Sequence, residues 1–541
     1  MFSEVKYVLK NYAENTTIRG IPRFVKVKDR FLKMTWLMFL LACTSTLVFF
    51  LCSAIEKFNT WPVITKYGEM KHGNISFPDV TICNLDSFAA GYPEVLPIEN
   101  YLDVVGANKV TITQYLIQDR NFSYNAAESL FSEFYSIPGY ILNLPKDYVI
   151  NFDCPAFILE CNIYSIQRFD DDKSCLNNFK KRWNRNYYAC YTLQASKLKS
   201  LKDYPSIRGI NLLLNVGPPN VIQIPYKYSF PLSQARGVRV SVHSPGTPPN
   251  LKKGFSVTPG TENIVTIVQT EKTRLGKPYN ENGCAKDEYS KVSPKQRYTR
   301  DSCADFCKQE NIYEKCGCVS NYLDVPSNYA ETVDACGNFS QNMTEILKLV
   351  RLNASTVNDL ILKNFFCSLM YLDEDCKYIC LSPCKEMMYD TFVSAASWPQ
   401  YSVQLDLFDT YIRLMNCTKS HPSVRERYRN YVKYFEMPNQ TRSSIAGLKY
   451  NISTSELTEI EKSLLTIKFL IKENVPFYDS EEPAYTSDTM IGVVGGILSL
   501  WLGISTATAV ELFELVYKLV KCFIKSKDKV VSETANSSVD K

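Results

Sequence analysis

Between Asp488 and Glu511 runs an uncharged stretch, Thr489 to Val510, that carries Gly492, Gly495, Gly496, Ser499, Gly503, Ser505 and Thr506 among its apolar residues. A helix of that length crosses a bilayer. A simple anchor has no reason to prefer glycine and serine over leucine, whereas these residues let a backbone leave helical geometry. Inside a bilayer such a departure is tolerated only where it is buried in protein or lines water. Gly492 and Gly496, at small-x-x-x-small spacing, also suit close helix packing, and both readings can hold at once. Glu511 and Glu514 follow Ser505 by six and nine residues. Carboxylates there either concentrate cations or mark a charged helix end leaving the membrane.

The second chemistry-bearing set is the cysteines. Sixteen of the nineteen lie between positions 83 and 417: Cys83, Cys154, Cys161, Cys175, Cys190, Cys284, Cys303, Cys307, Cys316, Cys318, Cys336, Cys367, Cys376, Cys380, Cys384 and Cys417. That clustering reads as a disulfide framework formed in an oxidising compartment. A zinc site is the rival, but the chain has three histidines (His72, His243, His421) and lacks paired short-spaced ligand knuckles, so no metal is expected. Cys43, Cys52 and Cys522 fall in or beside apolar segments, where a thiol is a small hydrophobe. No Ser/His/Asp, Cys/His or phosphate-binding arrangement stands out, so neither an enzyme nor a cofactor is expected. A net charge of +5 from 61 basic and 56 acidic residues gives no argument for a nucleic-acid partner.

These residues need elements to hold them. Met34 to Ile55, between Lys33 and Glu56, is uncharged and long enough to span a membrane; it lies too far into the chain, with no small-residue cleavage site, to read as a signal peptide. Both tails are basic, through Lys6, Lys10, Arg19, Arg23, Lys26, Lys28, Arg30 and Lys33 at one end and Lys518, Lys521, Lys525, Lys527 and Lys529 at the other. Positive flanks stay in the cytoplasm, which places the intervening loop outside. The loop holds the cysteines and eight glycosylation sequons, at Asn74, Asn121, Asn338, Asn342, Asn353, Asn416, Asn439 and Asn451, whereas Asn15 and Asn536 in the tails are chance sequons. At 541 residues in all, the chain is expected to form several packed subdomains. Val238–Val242 and Ile467–Ile471 alternate like strands with one buried face, and Glu345 to Phe366 has helical periodicity. The polar tail beyond Cys522 reads as disordered.

Several segments match one known family in order along the chain. Phe77-Pro78-Asp79-Val80-Thr81-Ile82-Cys83-Asn84, Cys190-Tyr191-Thr192, Gly209 to Asn215, and Gly237-Val238 through His243-Ser244 to Pro248-Pro249 look like palm strands. Cys303, Cys307, Cys316 and Cys318, spaced C-x3-C-x8-C-x-C, look like a thumb; Pro383-Cys384, Tyr389 and Ser397-Trp398-Pro399 look like the return to the palm. Gly495-Gly496, Leu500, Gly503-Ile504-Ser505 and Glu511-Leu512-Phe513 fit GG-x3-L-x2-G-x-S followed by ELF. On these motifs the chain resembles the degenerin/epithelial sodium channel family, which includes acid-sensing and peptide-gated members.

The resemblance implies a trimeric membrane protein: two transmembrane helices and a large disulfide-rich α+β extracellular domain in a palm, thumb, finger and knuckle arrangement. The implied division is a cytoplasmic segment with a re-entrant loop (1–33), a first span (34–55), an extracellular domain (56–488), a second span with the selectivity filter (489–521) and a cytoplasmic tail (522–541). Gly503, Ile504 and Ser505 are the implied filter, a belt whose carbonyl and hydroxyl oxygens replace part of a sodium ion's hydration shell. Thr489, Gly492, Gly495, Gly496, Ser499, Glu511 and Glu514 are implied pore or gate positions, and Arg19 with Gly20 the N-terminal gating motif. The family usually has His-Gly there, so Arg19 is a departure; Ser499 and Val493 stand where many members have Gly and Asp.

The function so implied is a ligand-gated, amiloride-sensitive sodium channel of the plasma membrane, a homo- or heterotrimer passing sodium ions with both termini cytoplasmic. Short tails and few histidines put an amidated neuropeptide first as the ligand, protons second, and mechanical or constitutive opening third. A non-conducting two-span surface receptor is the alternative of another class. ATP-gated channels share the topology but not these motifs.

Overall fold

The computed structural model describes residues 2–71, 77–85, 109–118, 123–128, 154–165, 174–184, 187–195, 207–217, 235–286, 296–320, nine single positions between 323 and 376, and 378–420, 422–436, 456–472 and 475–536. The chain forms two compact units, one of Met1–Lys66, Leu275–Gly283 and Glu481–Lys541, the other of Tyr67–Arg274 and Cys284–Ser480.

The larger unit is α+β and is organised by two sheets. In the first, the strands lie in the order β1 (Val63–Glu69), β12 (Phe477–Pro483), β9 (Thr261–Thr273), β11 (Leu464–Ile471), β6 (Ile207–Asn215) and β3 (Ile158–Ser165), with β10 (Lys385–Ser397) also paired to β9. The second runs β4 (Phe179–Asn184), β5 (Tyr188–Leu193), β2 (Asp79–Asn84), β7 (Val238–His243) and β8 (Phe255–Val257). Val80, Ile82, Val238 and Val240 of the second sheet and Ile210, Leu212, Leu214, Val265, Ile267, Ile467 and Phe469 of the first form one apolar core.

The 467–471 alternation points to one buried face, and Ile467 and Phe469 are buried while Lys468 and Leu470 are not; the preceding Leu464, Leu465 and Thr466, outside that run, are buried in succession. The reason is position: β11 is an interior strand, antiparallel to β6 and parallel to β9, and is covered on both faces at that end. Within the same unit, buried Asp79 accepts from the Ala195 N–H at 2.8 Å through Oδ1 and from the Gly246 N–H at 2.9 Å through Oδ2. Burial pushes its carboxyl above the usual range, and the two amide donors pull the other way.

All sixteen cysteines from Cys83 to Cys417 are paired. The bonds are Cys83–Cys190, Cys154–Cys417, Cys161–Cys175, Cys284–Cys384, Cys303–Cys380, Cys307–Cys376, Cys316–Cys367 and Cys318–Cys336. Four of them are nested around the helix Arg300–Cys316, which opens on a Thr299–Ser302 capping box and ends at left-handed Gly317. Cys303 and Cys307 are one turn apart, so their sulfurs leave the same helix face and meet Cys380 and Cys376 in reverse order. In the chain-entropy picture one such loop is worth about 3–4.5 kcal/mol; nested loops share much of that constraint, so the values do not add.

The smaller unit is mostly helical. The helix Arg30–Asn59 is long and apolar enough to cross a membrane. Its start is fixed by Asp29, whose Oδ1 accepts from Phe31 N at 2.8 Å and Leu32 N at 3.4 Å. The helices Ser487–Leu502 and Thr506–Ile524 reach that length together, as a pair bent by 74°. Helix continues to Asn536, so the disorder read from the polar tail is not what the structure shows. The run from Thr506 continues unbroken because no proline or glycine interrupts it. The helix expected over Glu345–Phe366 lies outside the described residues.

Candidate functional site

The bend of 74° is built from residues 503–505. Gly503 ends the helix Ser487–Leu502 in the left-handed region, at φ 66°, where a side chain is disfavoured. Its N–H bonds Ser499 O at 3.0 Å, and Ile504 N–H reaches back to Leu498 O at 3.2 Å. On the far side Thr508 Oγ1 accepts from Ser505 N at 3.2 Å and so satisfies a donor that the next helix leaves free. The Ser505 and Thr506 side chains are exposed.

Against this break lies the N-terminal loop Thr16–Gly20, between the helices Phe2–Asn15 and Ile21–Lys26. The Arg19 N–H donates to Leu502 O at 2.9 Å, a carbonyl that the helix end leaves without a partner. The Arg19 stem covers Gly503 so closely that a Cβ there would sit 2.8 Å from Cγ and 3.0 Å from Cδ. Thr17 Oγ1 meets Thr508 Oγ1 at 2.9 Å. Glu511 Oε2 accepts from both Thr16 Oγ1 and Thr17 N, each at 3.0 Å. Gly20 closes the loop at φ 93°, and a Cβ there would lie 2.8 Å from Leu40 Cδ2 on the helix Arg30–Asn59. Both glycines are therefore required by conformation and by close approach.

Apolar packing seats the break. Cys43, Leu47 and Leu502 are buried together, with Ile18, Leu51, Ile497, Leu498, Trp501 and Ile504 against them. Phe50 and Trp501 stack with centroids 5.9 Å apart. Cys43, Cys52 and Cys522 are free thiols.

The other expected positions fall as follows. Thr489 is exposed near the start of its helix, its Oγ1 at 2.9 Å from Oγ1 of the N-cap Thr486. Gly492, Gly495 and Gly496 have nothing within 4 Å of the place a Cβ would take, and Ser499 is exposed like them. Glu514 pairs with Lys518 at 2.6 Å. Asn416 is exposed at φ 58°; Asn74, Asn121, Asn338, Asn342, Asn353, Asn439 and Asn451 lie outside the described residues. Among the described residues no group of three or more His, Cys, Asp or Glu converges to hold a metal ion.

Sequence reasoning brought Arg19, Gly20, Gly503, Ser505 and Glu511 to notice, and the structure brings all five together. It missed Thr16, Thr17 and Thr508. The available signal was the Asn15-Thr16-Thr17 sequon, dismissed as chance, whose two threonines are the ones that reach Glu511.

Residues 12–515 match the profile of the family described as amiloride-sensitive sodium channel. The FMRFamide-activated amiloride-sensitive sodium channel of Cornu aspersum is 22% identical over 550 residues, 96% of this chain and 84% of that protein. Acid-sensing ion channel 2 of Danio rerio is 20% identical, over 90% of this chain and 78% of its own length. The bile acid-sensitive ion channel of Rattus norvegicus is 23% identical, over 94% of this chain and 87% of its own. These three carry different stimuli in their names at nearly equal identity.

Proposed function

Because this chain belongs to the amiloride-sensitive sodium channel family, we propose that three copies, or copies mixed with related subunits, form a sodium-selective pore around Gly503–Ser505 that opens to an extracellular amidated peptide and is blocked by amiloride. The chain is an ion-channel subunit, not an enzyme.

The observation that carries the pore assignment is the break itself: a left-handed glycine and an exposed serine interrupting an apolar helical stretch, with Arg19 and Glu511 held beside it. Irregular backbone at membrane depth belongs where it lines water, and three such breaks around an axis give a ring of oxygens. Gly492, Gly495, Gly496 and Ser499 are open within one copy, which suits close approach by neighbouring copies. Thr489 is the outer gate position in this reading.

The chain then crosses the plasma membrane twice, at 34–55 and 489–521, with 1–33 and 522–541 cytoplasmic and 56–488 outside. Basic flanks on both tails support that orientation, and the eight disulfides support an oxidising outer compartment. Peptide opening rests on the relative named as FMRFamide-activated, which aligns with 96% of this chain. Acid opening is the second reading, on the relative named as acid-sensing.

The test is voltage clamp of oocytes expressing the chain, challenged with a panel of amidated peptides and then with acid. A peptide-evoked sodium current blocked by amiloride is expected. Current evoked by acid alone favours the second reading. Protein at the surface that answers neither contradicts ligand gating.

A further inference from the structure

The segment that follows β7, Ser244-Pro245-Gly246-Thr247-Pro248-Pro249-Asn250, holds three prolines, which fix φ and leave it little freedom to absorb a displacement. Its hydrogen bonds reach three other parts of the larger unit. At the near end Ser244 Oγ donates to Met387 O on β10. In the middle Gly246, at φ 79°, donates its N–H to Asp79 Oδ2 on β2 and accepts the Arg297 N–H, both at 2.9 Å. At the far end Asn250 Nδ2 donates to Asp301 Oδ2 at 2.5 Å, in the first turn of the helix Arg300–Cys316. Asn250 Oδ1 meanwhile accepts from Lys252 N at 3.1 Å and Lys253 N at 3.2 Å, which holds the amide in one orientation.

The helix so reached belongs to a body tied together by its own disulfides. The four bonds within residues 303–380 join that body to itself, and Cys284–Cys384 closes its neck beside the ends of β9 and β10. A body so cross-linked turns as a unit, and a stiff connection to the second sheet resists the turn. The two ends of that connection differ. Asp79 is buried, whereas Asp301 is exposed, and a hydrogen bond shielded from water outlasts one that water can replace.

We propose that Ser244–Asn250 is a strut restraining the disulfide-bonded body against the second sheet, that Asp79 anchors it, and that the Asn250–Asp301 bond is the end that releases when an extracellular ligand opens the channel. The release rests on the ligand-gated reading above; the strut itself does not. A restraint that the ligand must break subtracts from its apparent affinity, so weakening the restraint lowers the concentration needed. Asn250→Asp keeps the oxygen that caps Lys252 and Lys253 but sets a second carboxylate against Asp301. Asp301→Asn on that background puts an amide donor opposite the new carboxylate and remakes the bond with donor and acceptor exchanged.

Two readouts on the full-length protein separate the strut from its release. In detergent, hydrogen exchange over residues 296–302 includes the Arg297 N–H bonded to Gly246. Asn250→Asp is expected to speed it about threefold, the factor for one exposed hydrogen bond, and Asn250→Asp with Asp301→Asn to return it near wild type. In oocytes, with FMRFamide as the agonist probe, Asn250→Asp should lower the half-maximal concentration about threefold, leave the sodium-to-potassium permeability ratio unchanged, and be rescued by the same second substitution. A folding defect would instead lower surface density without shifting that concentration. Exchange in Asn250→Asp equal to wild type, or not restored by Asp301→Asn, overturns the strut. Faster exchange with an unchanged or raised half-maximal concentration overturns the release. A wild-type chain silent to FMRFamide removes the release together with the reading it rests on, and exchange still decides the strut.

Discussion

Replacing Gly503 by alanine tests whether the break is a built conformation. The glycine sits at φ 66°, where a residue with a Cβ costs about 1–2 kcal/mol. The new methyl would also lie 2.8 Å from Arg19 Cγ and 3.0 Å from Cδ. Because those atoms belong to a flexible stem rather than to backbone, pushing them off their rotamer costs about 0.5–1.5 kcal/mol. The two parts separate by double substitution: Arg19→Ala removes the obstruction and leaves the backbone cost. Reversal potentials in sodium and potassium, with currents normalised to surface protein, are the assay. Gly503→Ala is expected to lower the sodium-to-potassium permeability ratio, and Gly503→Ala with Arg19→Ala to recover part of it. Gly503→Asn with Arg19→Ala should recover more, since asparagine enters the left-handed region more easily. Full selectivity in Gly503→Ala refutes the conformational argument; full rescue by Arg19→Ala refutes the backbone share.

Three other outcomes follow from the structure. Thr489→Trp is expected to enlarge the resting current, because a bulky side chain at this exposed position on the helix Ser487–Leu502 would, in the proposed trimer, obstruct close approach of the copies; a quiet channel at normal surface density counts against that placement. Asp79→Asn opposes an amide donor to the Gly246 or Ala195 N–H and should cost about 1–3 kcal/mol, read as a lower Tm of the full-length protein in detergent. With its folded-state pKa raised, Asp79 adds stability that is complete below the unfolded value of about 3.9 and lost as pH rises through the folded value; that slope should vanish in Asp79→Asn, and an unchanged slope would assign it elsewhere. Reducing agent should retard the denatured protein's electrophoretic mobility and glycosidase should lower its apparent mass; absence of both shifts would contradict an external, disulfide-bonded loop.

The large features were legible because they follow from length and composition. Met34–Ile55 lies within the helix Arg30–Asn59, and Gly503 marks the helix end as a residue suited to positive φ. The sixteen clustered cysteines announced a disulfide framework, but not its pairing, since connectivity depends on which strands meet. Only the one-turn spacing of Cys303 and Cys307 against Cys376 and Cys380 hints at a local rule. Alternation read Ile467–Ile471 correctly but gave no sign that Leu464–Thr466 are all buried, because burial on two faces is decided by neighbours, and β6 and β9 come from distant segments. The grip of Thr16 and Thr17 on Glu511 was illegible for the same reason: the partners are 495 and 494 residues apart. Spacing rules reach across a turn of helix, not across a chain.

The most direct test of the central claim, that sodium is selected at residues 503–505, is the permeability ratio of Ser505 variants. Ser505 is exposed at the break, and its hydroxyl would form one third of the narrow ring. Leu500 is the fitting control, being 74% exposed on the helix that precedes the break, whereas Leu498 packs in the cluster that seats the break. Ser505→Cys and Ser505→Asp should shift the reversal potential toward that of potassium while Leu500→Cys does not. Robust currents from Ser505 variants with an unchanged sodium-to-potassium ratio would place the filter elsewhere and contradict the account.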